Sequence, residues 1–354
     1  MTMVVAAAAQ SRGAVCATGV SAERLIIEDG RVLGATLHIA GATEPLELRA
    51  KVTVNAAGPW AHALSQAALG GNSPAVKLVK GIHLILPAIA GLDTAFLLTA
   101  PSDGRVFFVI PWYGRTLVGT TESSIADPTQ IQVTDAERDY LLDAVAALMP
   151  GLGWRAENVI ASFAGARTLQ AEDAESLSAQ TREFAITEPA PGYLWPIGGK
   201  YTTARCDSAL VVDRIAGLLG RELGESLTHR YPLPGAPVGT REGSVMLGDF
   251  TGWQAEATSG LMQRGLSKPL AEALTLRHGT RIARLHALLA DDPSLAERIL
   301  PDADFIEAEV LLAVRDEAAR TLEDVTRRRM PLALLAKPGP WQQRVQALID
   351  RALS

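Results

Sequence analysis

The chain has 354 residues, 48% hydrophobic and 20% charged, with a formal net charge of -6 at pH 7. At about 150 residues per domain this length predicts two or three folded domains, and the composition excludes a disordered chain. The acidic balance excludes a nucleic-acid surface built on a basic excess. Two cysteines, Cys16 and Cys206, are too few for a disulfide framework, an iron–sulfur cluster or a four-thiolate zinc site. That usage points to a reducing, cytoplasmic compartment. No apolar run reaches the ~18–20 residues of a membrane-spanning helix. The apolar N-terminus lacks the basic flank of a signal peptide, so only a peripheral membrane contact stays open.

In chain order, Val4 to Gln10 reads as the end of a helix stopped at Gly13, followed by a short strand from Ala14 to Thr18. Two alternating runs then flank Asp29-Gly30, the pattern of a β-hairpin. Leu46–Leu48 and Val52–Val54 supply two more strands. Asn55-Ala-Ala-Gly-Pro-Trp60 is a strand-to-helix turn, with Pro59 suited to the first helical turn and Gly70-Gly71 ending the helix. Residues 76–121 are strand-rich: Val79–Leu86, Phe96–Leu98, Val106–Ile110 and Thr116–Thr120. Thr134 or Asp135 caps a helix running to Leu148. Ala161–Arg167, Phe184–Thr187 and Leu194–Ile197 read as strands, the last leading into Gly198-Gly199-Lys200 and a helix to Leu219. After the Pro/Gly segment 232–239 the composition changes. From Leu261 a helical apolar period takes over, with carboxylate–arginine pairs at i,i+4, Glu323/Arg327 and Asp324/Arg328.

Three segments carry chemical potential. The small-residue turn at Ala56, Ala57 and Gly58 lets backbone approach a phosphate or sugar, although an ordinary tight turn has the same spacing. Gly198-Gly199-Lys200-Tyr-Thr202-Thr203 offers backbone N–H groups, two hydroxyls and a lysine to negative charge such as that on a reduced flavin; the bland alternative is a capped helix with a solvated lysine. The third is scattered: His83 in an alternating strand, Thr120-Thr121-Glu122, and Arg167 in an apolar stretch. A lone strand histidine is more often structural than catalytic. Arg167 requires an anionic partner or solvent, and a protein carboxylate and a ligand phosphate satisfy it equally.

In order, Asn55-Ala-Ala-Gly-Pro-Trp60, Lys80-Gly-Ile-His-Leu-Ile-Leu-Pro87, Phe107-Phe-Val-Ile-Pro-Trp112, Val118-Gly-Thr-Thr-Glu122, Gly165-Ala-Arg-Thr-Leu169 and Gly198-Gly-Lys-Tyr-Thr-Thr203 resemble the FAD-dependent, quinone-reducing glycerol-3-phosphate dehydrogenases of bacteria. Residues 307–311 and 317–329 resemble that family's helical C-terminal domain. The resemblance implies a mixed α/β and α+β fold. Residues 1–235 would form an incomplete FAD-binding, glutathione-reductase-like domain, with its FAD-binding part in 1–75 and 160–220 and an antiparallel substrate-binding sheet over about 76–190. Residues 242–354 would form an all-helical domain.

It further implies oxidation of glycerol 3-phosphate to dihydroxyacetone phosphate, with FAD taking the C2 hydride and quinone as final acceptor. In that scheme His83 is the base or hydroxyl partner, Arg167 the phosphate or oxyanion clamp, and Lys200 a stabiliser of developing charge near flavin and substrate. Gly198, Gly199, Thr202 and Thr203 line the flavin, Ala56, Ala57 and Gly58 the adenosine half, and Thr120 and Thr121 the substrate cleft. No metal is implied. A homodimer and peripheral association with the inner face of the plasma membrane are compatible with it.

The sequence also departs from the family, because it contains no Gly-x-Gly-x-x-Gly loop for the FAD pyrophosphate and lacks the family's N-terminal active-site arginine. The expectation is a truncated reading, a split gene or a pseudogene product that does not hold FAD tightly alone. Two further readings are an inactive fragment or partner subunit of a split flavoprotein, and a flavin amine or amino-acid oxidase relative. In the latter Arg167 would hold a carboxylate.

Overall fold

The computed structural model of the chain describes residues 1–171, 183–241 and 244–354. After helix α1 (Thr2–Gln10), strand β1 (Val20–Glu28) pairs antiparallel with β2 (Arg31–Ile39), which pairs with β3 (Leu46–Arg49). Asp29 and Gly30 both take positive φ, 49° and 75°, as the expected two-residue hairpin turn demands. The strand expected at Ala14–Thr18 does not form. Its residues are exposed and, among the described residues, pair with no strand; pairing starts only at Val20.

Strand β4 (Thr53–Val54) runs parallel to β12 (Tyr193–Ile197), and β12 pairs antiparallel with β11 (Ala185–Ala190). Helix α2 (Ala61–Leu69) follows β4 after a single 3-10 turn at Gly58–Trp60. The larger sheet has the order β10 (Ala161–Gln170), β5 (Val76–Pro87), β8 (Arg115–Gly119), β7 (Val106–Trp112), β6 (Phe96–Thr99), and β9 (Ser123–Ile125) also pairs with β5. β11 thus lies in the smaller sheet, not in this one.

Strand alternation gives the large sheet two unlike faces. One buries Ile82, Leu84, Leu86, Phe107, Val109 and Val118 against helix α3 (Asp135–Leu148). Thr134 caps α3 reciprocally with Glu137. Glu137 also meets Lys80 Nζ at 2.8 Å and accepts from Ser123 Oγ at 2.7 Å. Lys80 Nζ donates in addition to the Gln132 carbonyl at 2.8 Å, so this buried cation on the core face has both a counter-ion and a neutral acceptor. The other face is the one that matters for function. Cross-strand pairing sets Phe108, Gly119, His83 and Phe163 in one row across it.

Helix α4 (Ala204–Leu218) leads through an exposed stretch to a hairpin of β13 (Val238–Arg241) and β14 (Ser244–Leu247). Six helices follow: α5 (Phe250–Met262), α6 (Lys268–His278), α7 (Ile282–Asp291), α8 (Glu307–Glu317), α9 (Leu332–Leu335) and α10 (Pro340–Leu353). They share one core that includes Leu274, Leu285, Phe305, Val325, Val345 and Ile349. Within it Glu309 receives Arg277 Nε and His278 Nε2, each at 2.7 Å, and the Ile306 N–H at 2.9 Å. Burial alone would raise the Glu309 carboxyl; the Arg277 charge and the His278 bond outweigh it and hold it at about 2.

Residues 324–329 form a π-helical turn. Its wider register corrects one expected pair: Arg328 reaches both Asp324 and Glu323, each at 2.9 Å, so Glu323 is met five residues on instead of four. The helical unit seats on the β7–β8 turn, where Trp112 packs on its core, Tyr113 lies 5.6 Å from the Phe305 ring, and Arg115 binds Asp302 and the Leu335 carbonyl. Among the described residues no helix is long and apolar enough to cross a membrane.

Candidate active site

The register of β5 and β10 assembles the first group. His83 lies opposite Phe163, Gly81 opposite Gly165, and Val79 opposite Arg167, all on the open face. The His83 ring stacks on Phe163 with centroids 4.9 Å apart and planes 8° from parallel. On its other side Gly119 is obligatory. A Cβ there would stand 2.7 Å from His83 Cγ. Burial, and then the nearby Arg167 charge, push the His83 imidazole below its ordinary 6.5, so the ring is neutral at pH 7 and has a lone pair to accept a proton.

The Gly81–Gly165 pair leaves the stretch of sheet between His83 and Arg167 without side chains of its own. The Arg167 guanidinium and the Thr120 hydroxyl lie over Gly81, where a Cβ would sit 3.3 Å from Arg167 Nη2 and would collide with Thr120 Oγ1, whereas a Cβ on Gly165 would meet nothing within 4 Å. The Thr121 side chain is structural in this arrangement, its Oγ1 accepting from the Ile82 N–H at 3.2 Å. Glu122, which the sequence placed in the third segment without a role, pairs with Arg167 Nη1 at 3.5 Å. Its own carbonyl accepts from Arg105 at 3.2 Å. A protein carboxylate, one of the two partners the sequence left open for Arg167, is thus present.

The second group is brought together by the parallel pairing of β4 and β12, Thr53 with Tyr193 and Val54 with Leu194. The loop carrying Ala56, Ala57 and Gly58 and the loop carrying Gly198 to Thr203 leave the carboxyl ends of these neighbouring strands. In open sheets ligands settle at such ends. Ala56, Ala57 and Gly58 are exposed, and a Cβ at Gly58 would meet nothing within 4 Å. Gly198 and Gly199 both take left-handed φ, 76° and 84°. A side chain at Gly199 would press Asp207 Oδ2 at 3.0 Å and Phe184 Cδ2 at 3.1 Å.

The helix expected to open at Gly198-Gly199 begins later, at Ala204, after a turn at residues 201–203. The Thr203 hydroxyl is committed to Asp207 Oδ2 at 2.6 Å and to the Lys200 carbonyl at 3.1 Å. Thr202 and the side chain of Lys200 are exposed. Packing of Val76 with Ala61, Trp195 and Ile197 joins β5 to this sheet. Two small, exposed, backbone-rich loops side by side fit a flavin nucleotide that lies against main chain.

Beneath the first loop sits a buried cluster that the sequence did not reveal. Asn55 Nδ2 donates to the Ala61 carbonyl at 2.9 Å and to the Tyr193 hydroxyl at 2.6 Å, and Asn55 Oδ1 accepts from the Ala57 N–H at 3.2 Å. Ser65 Oγ lies 2.6 Å from the Tyr193 hydroxyl.

Residues 1–200 match the family model for FAD dependent oxidoreductase. The chain belongs to the FAD-dependent oxidoreductase family. Residues 226–353 match the C-terminal domain of alpha-glycerophosphate oxidase. Glycerol-3-phosphate dehydrogenase 2 of Mycobacterium bovis is 30% identical over 338 residues, 94% of this chain and 55% of that protein. Aerobic glycerol-3-phosphate dehydrogenase of Staphylococcus haemolyticus is 31% identical over 260 residues, 71% of this chain and 46% of that one. The X-ray structure of the glycerol-3-phosphate dehydrogenase from Bacillus halodurans complexed with FAD superposes with a TM-score of 0.77 at 26% identity, covering 99% of this chain and 72% of that one. The chain spans about half the length of the curated relatives it matches.

Proposed function

We propose that this chain carries the substrate face and flavin-contacting loops of an FAD-dependent dehydrogenase acting on glycerol 3-phosphate, with dihydroxyacetone phosphate as product and a quinone as final electron acceptor. The observation that carries the reading is a half-buried His83 with a lowered pKa and the Arg167 guanidinium on the same sheet face, with the Gly81–Gly165 pair between them. Alcohol oxidation needs a base at the carbinol proton, and a phosphomonoester needs a cation with planar, forked donors. Bound FAD supplies the hydride acceptor.

In this reading His83 takes the C2 hydroxyl proton, its ring held by Phe163 below and Gly119 beside it. Arg167, paired with Glu122, holds the anionic end, and the Thr120 hydroxyl lies beside it over Gly81. Lys200, exposed on the second loop, adds positive charge at the flavin edge. Ala56, Ala57 and Gly58 offer backbone to the adenosine half, and Gly198, Gly199, Thr202 and Thr203 to the flavin. The chain is further read as two units, 1–235 and 242–354, working in the cytoplasm or at the inner membrane face.

The test is calorimetric titration of the chain with glycerol 3-phosphate and with glycerol in the presence of FAD, followed by assay for dihydroxyacetone phosphate with a soluble quinone. Binding of the phosphate ester that Arg167→Ala weakens at least tenfold is expected, a charged hydrogen bond being at stake. Equal affinity for glycerol and its phosphate would overturn it.

A further inference from the structure

We infer that Tyr193 is a positioning residue for the nucleotide-facing turn Ala56–Trp60, acting through Asn55. The inference rests on the cofactor reading above and adds a residue that touches neither cofactor nor substrate.

The turn has little packing of its own. Ala56, Ala57 and Gly58 are exposed, and Trp60 is 58% exposed. What holds it lies underneath. The Asn55 N–H continues the parallel ladder to the Leu194 carbonyl at 2.8 Å, which fixes the end of β4. From there the Asn55 side chain spans the turn: Oδ1 accepts from the Ala57 N–H, and Nδ2 donates to the Ala61 carbonyl in the first turn of α2. An amide side chain can do this only if its χ angles are set, and two buried hydroxyls set them. Tyr193, fully buried on β12, takes Nδ2 at 2.6 Å, and Ser65, fully buried on α2, lies 3.3 Å from Nδ2.

The three side chains thus join a strand, its parallel neighbour, the turn and the helix behind it. Buried polar clusters of this kind specify one geometry when every member is satisfied. Replacing Tyr193 by phenylalanine deletes a single oxygen and keeps the ring packed. Asn55 would then lose its shortest acceptor, the side chain would gain freedom, and the Ala57 N–H would lose a fixed partner. Backbone that must meet a ligand at close range cannot tolerate that freedom without loss of affinity.

The experiment compares the full chain with Tyr193→Phe and Ser65→Ala by amide hydrogen exchange and by fluorescence titration with FAD. Tyr193→Phe should speed exchange at residues 56–60 about tenfold, leave 161–170 unchanged, and weaken FAD about three- to tenfold. Ser65→Ala, the milder change, should move both readouts the same way by less. Equal acceleration in both regions would make Tyr193 a general stabiliser and overturn the inference, as would unchanged exchange at 56–60 or a loosened turn with unchanged FAD affinity. Wild-type chain that takes up no FAD even at concentrations that would fill a weak site, while Tyr193→Phe still loosens only the turn, would retain the positioning role and overturn the cofactor reading, so the two fail separately.

Discussion

Replacing Glu309 by glutamine probes the helical unit at its most highly charged buried point. The side chain of Glu309 is 2% exposed and meets Arg277 and His278. A carboxyl at about 2 in the folded chain, against 4.5 as reference, corresponds to roughly 3 kcal/mol of stability at pH 7. The folded value is depressed, so the contribution is fully present above 4.5 and is lost as pH falls toward 2. Glutamine keeps the volume and one carbonyl acceptor but removes the charge, leaving Arg277 buried without its counter-ion.

Urea unfolding, followed by Trp253 and Trp341 fluorescence because both pack on the helical core, should show the variant less stable by roughly 3 kcal/mol at pH 7. The gap between wild type and variant should roughly halve by pH 3. Other carboxylates titrate in both proteins and cancel in the difference. A gap that stays constant from pH 7 to pH 3, or one near zero at pH 7, would refute the assignment of Glu309 as a buried, ion-paired carboxylate.

Further outcomes follow for the site. The acidic limb of kcat/KM should lie below 6.5, because only neutral His83 accepts a proton and burial and Arg167 depress it; Arg167→Gln should move that limb upward, and an unmoved limb would separate the two residues. Arg167→Ala should raise KM for glycerol 3-phosphate more than Arg167→Lys, which keeps the charge but not the fork; equal kinetics for wild type and Arg167→Ala would remove Arg167 from the site. Gly119→Ala should cost about 1–3 kcal/mol by overpacking and displace the His83 ring, seen as a shifted imidazole resonance, whereas an unshifted resonance would contradict the close approach. Among the described residues, limited proteolysis should cut first between Arg221 and His229, an exposed stretch without helix or strand, since the Pro/Gly segment after it is tied by the Thr280 N–H to the Gly235 carbonyl at 2.8 Å; a first cut inside β5–β8 would contradict the two-unit reading.

Local patterns in the sequence were enough for elements that depend on neighbours: the Asp29-Gly30 hairpin, the start of α3 at Thr134 or Asp135, and the long run of β5. Pairing partners far along the chain were not legible. Nothing in Val52-Thr-Val says that β4 lies beside Tyr193, and so nothing announced that Asn55 and Tyr193 would share a hydrogen bond. Ser123–Ile125 is too short to alternate and becomes a strand only because β5 extends past β8 and offers it an edge. The hairpin at 238–247 sits in a Pro/Gly-rich segment that reads as linker. Ala14–Thr18 has strand composition and no partner, and composition without a partner leaves coil.

The site shows the same division. His83, Arg167 and Thr120 could be named singly from motifs; that they come together on one face depends on register, which a one-residue slip would destroy. Gly81 and Gly119 hold the argument together. Neither takes the left-handed φ that usually explains a glycine, and a glycine inside a strand weakens it by about 0.5–1 kcal/mol relative to alanine. Both lie on the open face, one under the Arg167 guanidinium and the Thr120 hydroxyl, the other against the His83 ring. The stability given up at these two positions makes room for side chains that carry the proposed chemistry. On the opposite face of the same strand, Ile82, Leu84 and Leu86 fill the core without a gap. Alternation along one strand therefore puts His83 and Gly81 on the face away from this core. The lesson for reading such chains is to ask of each strand glycine which neighbouring side chain needs its missing Cβ.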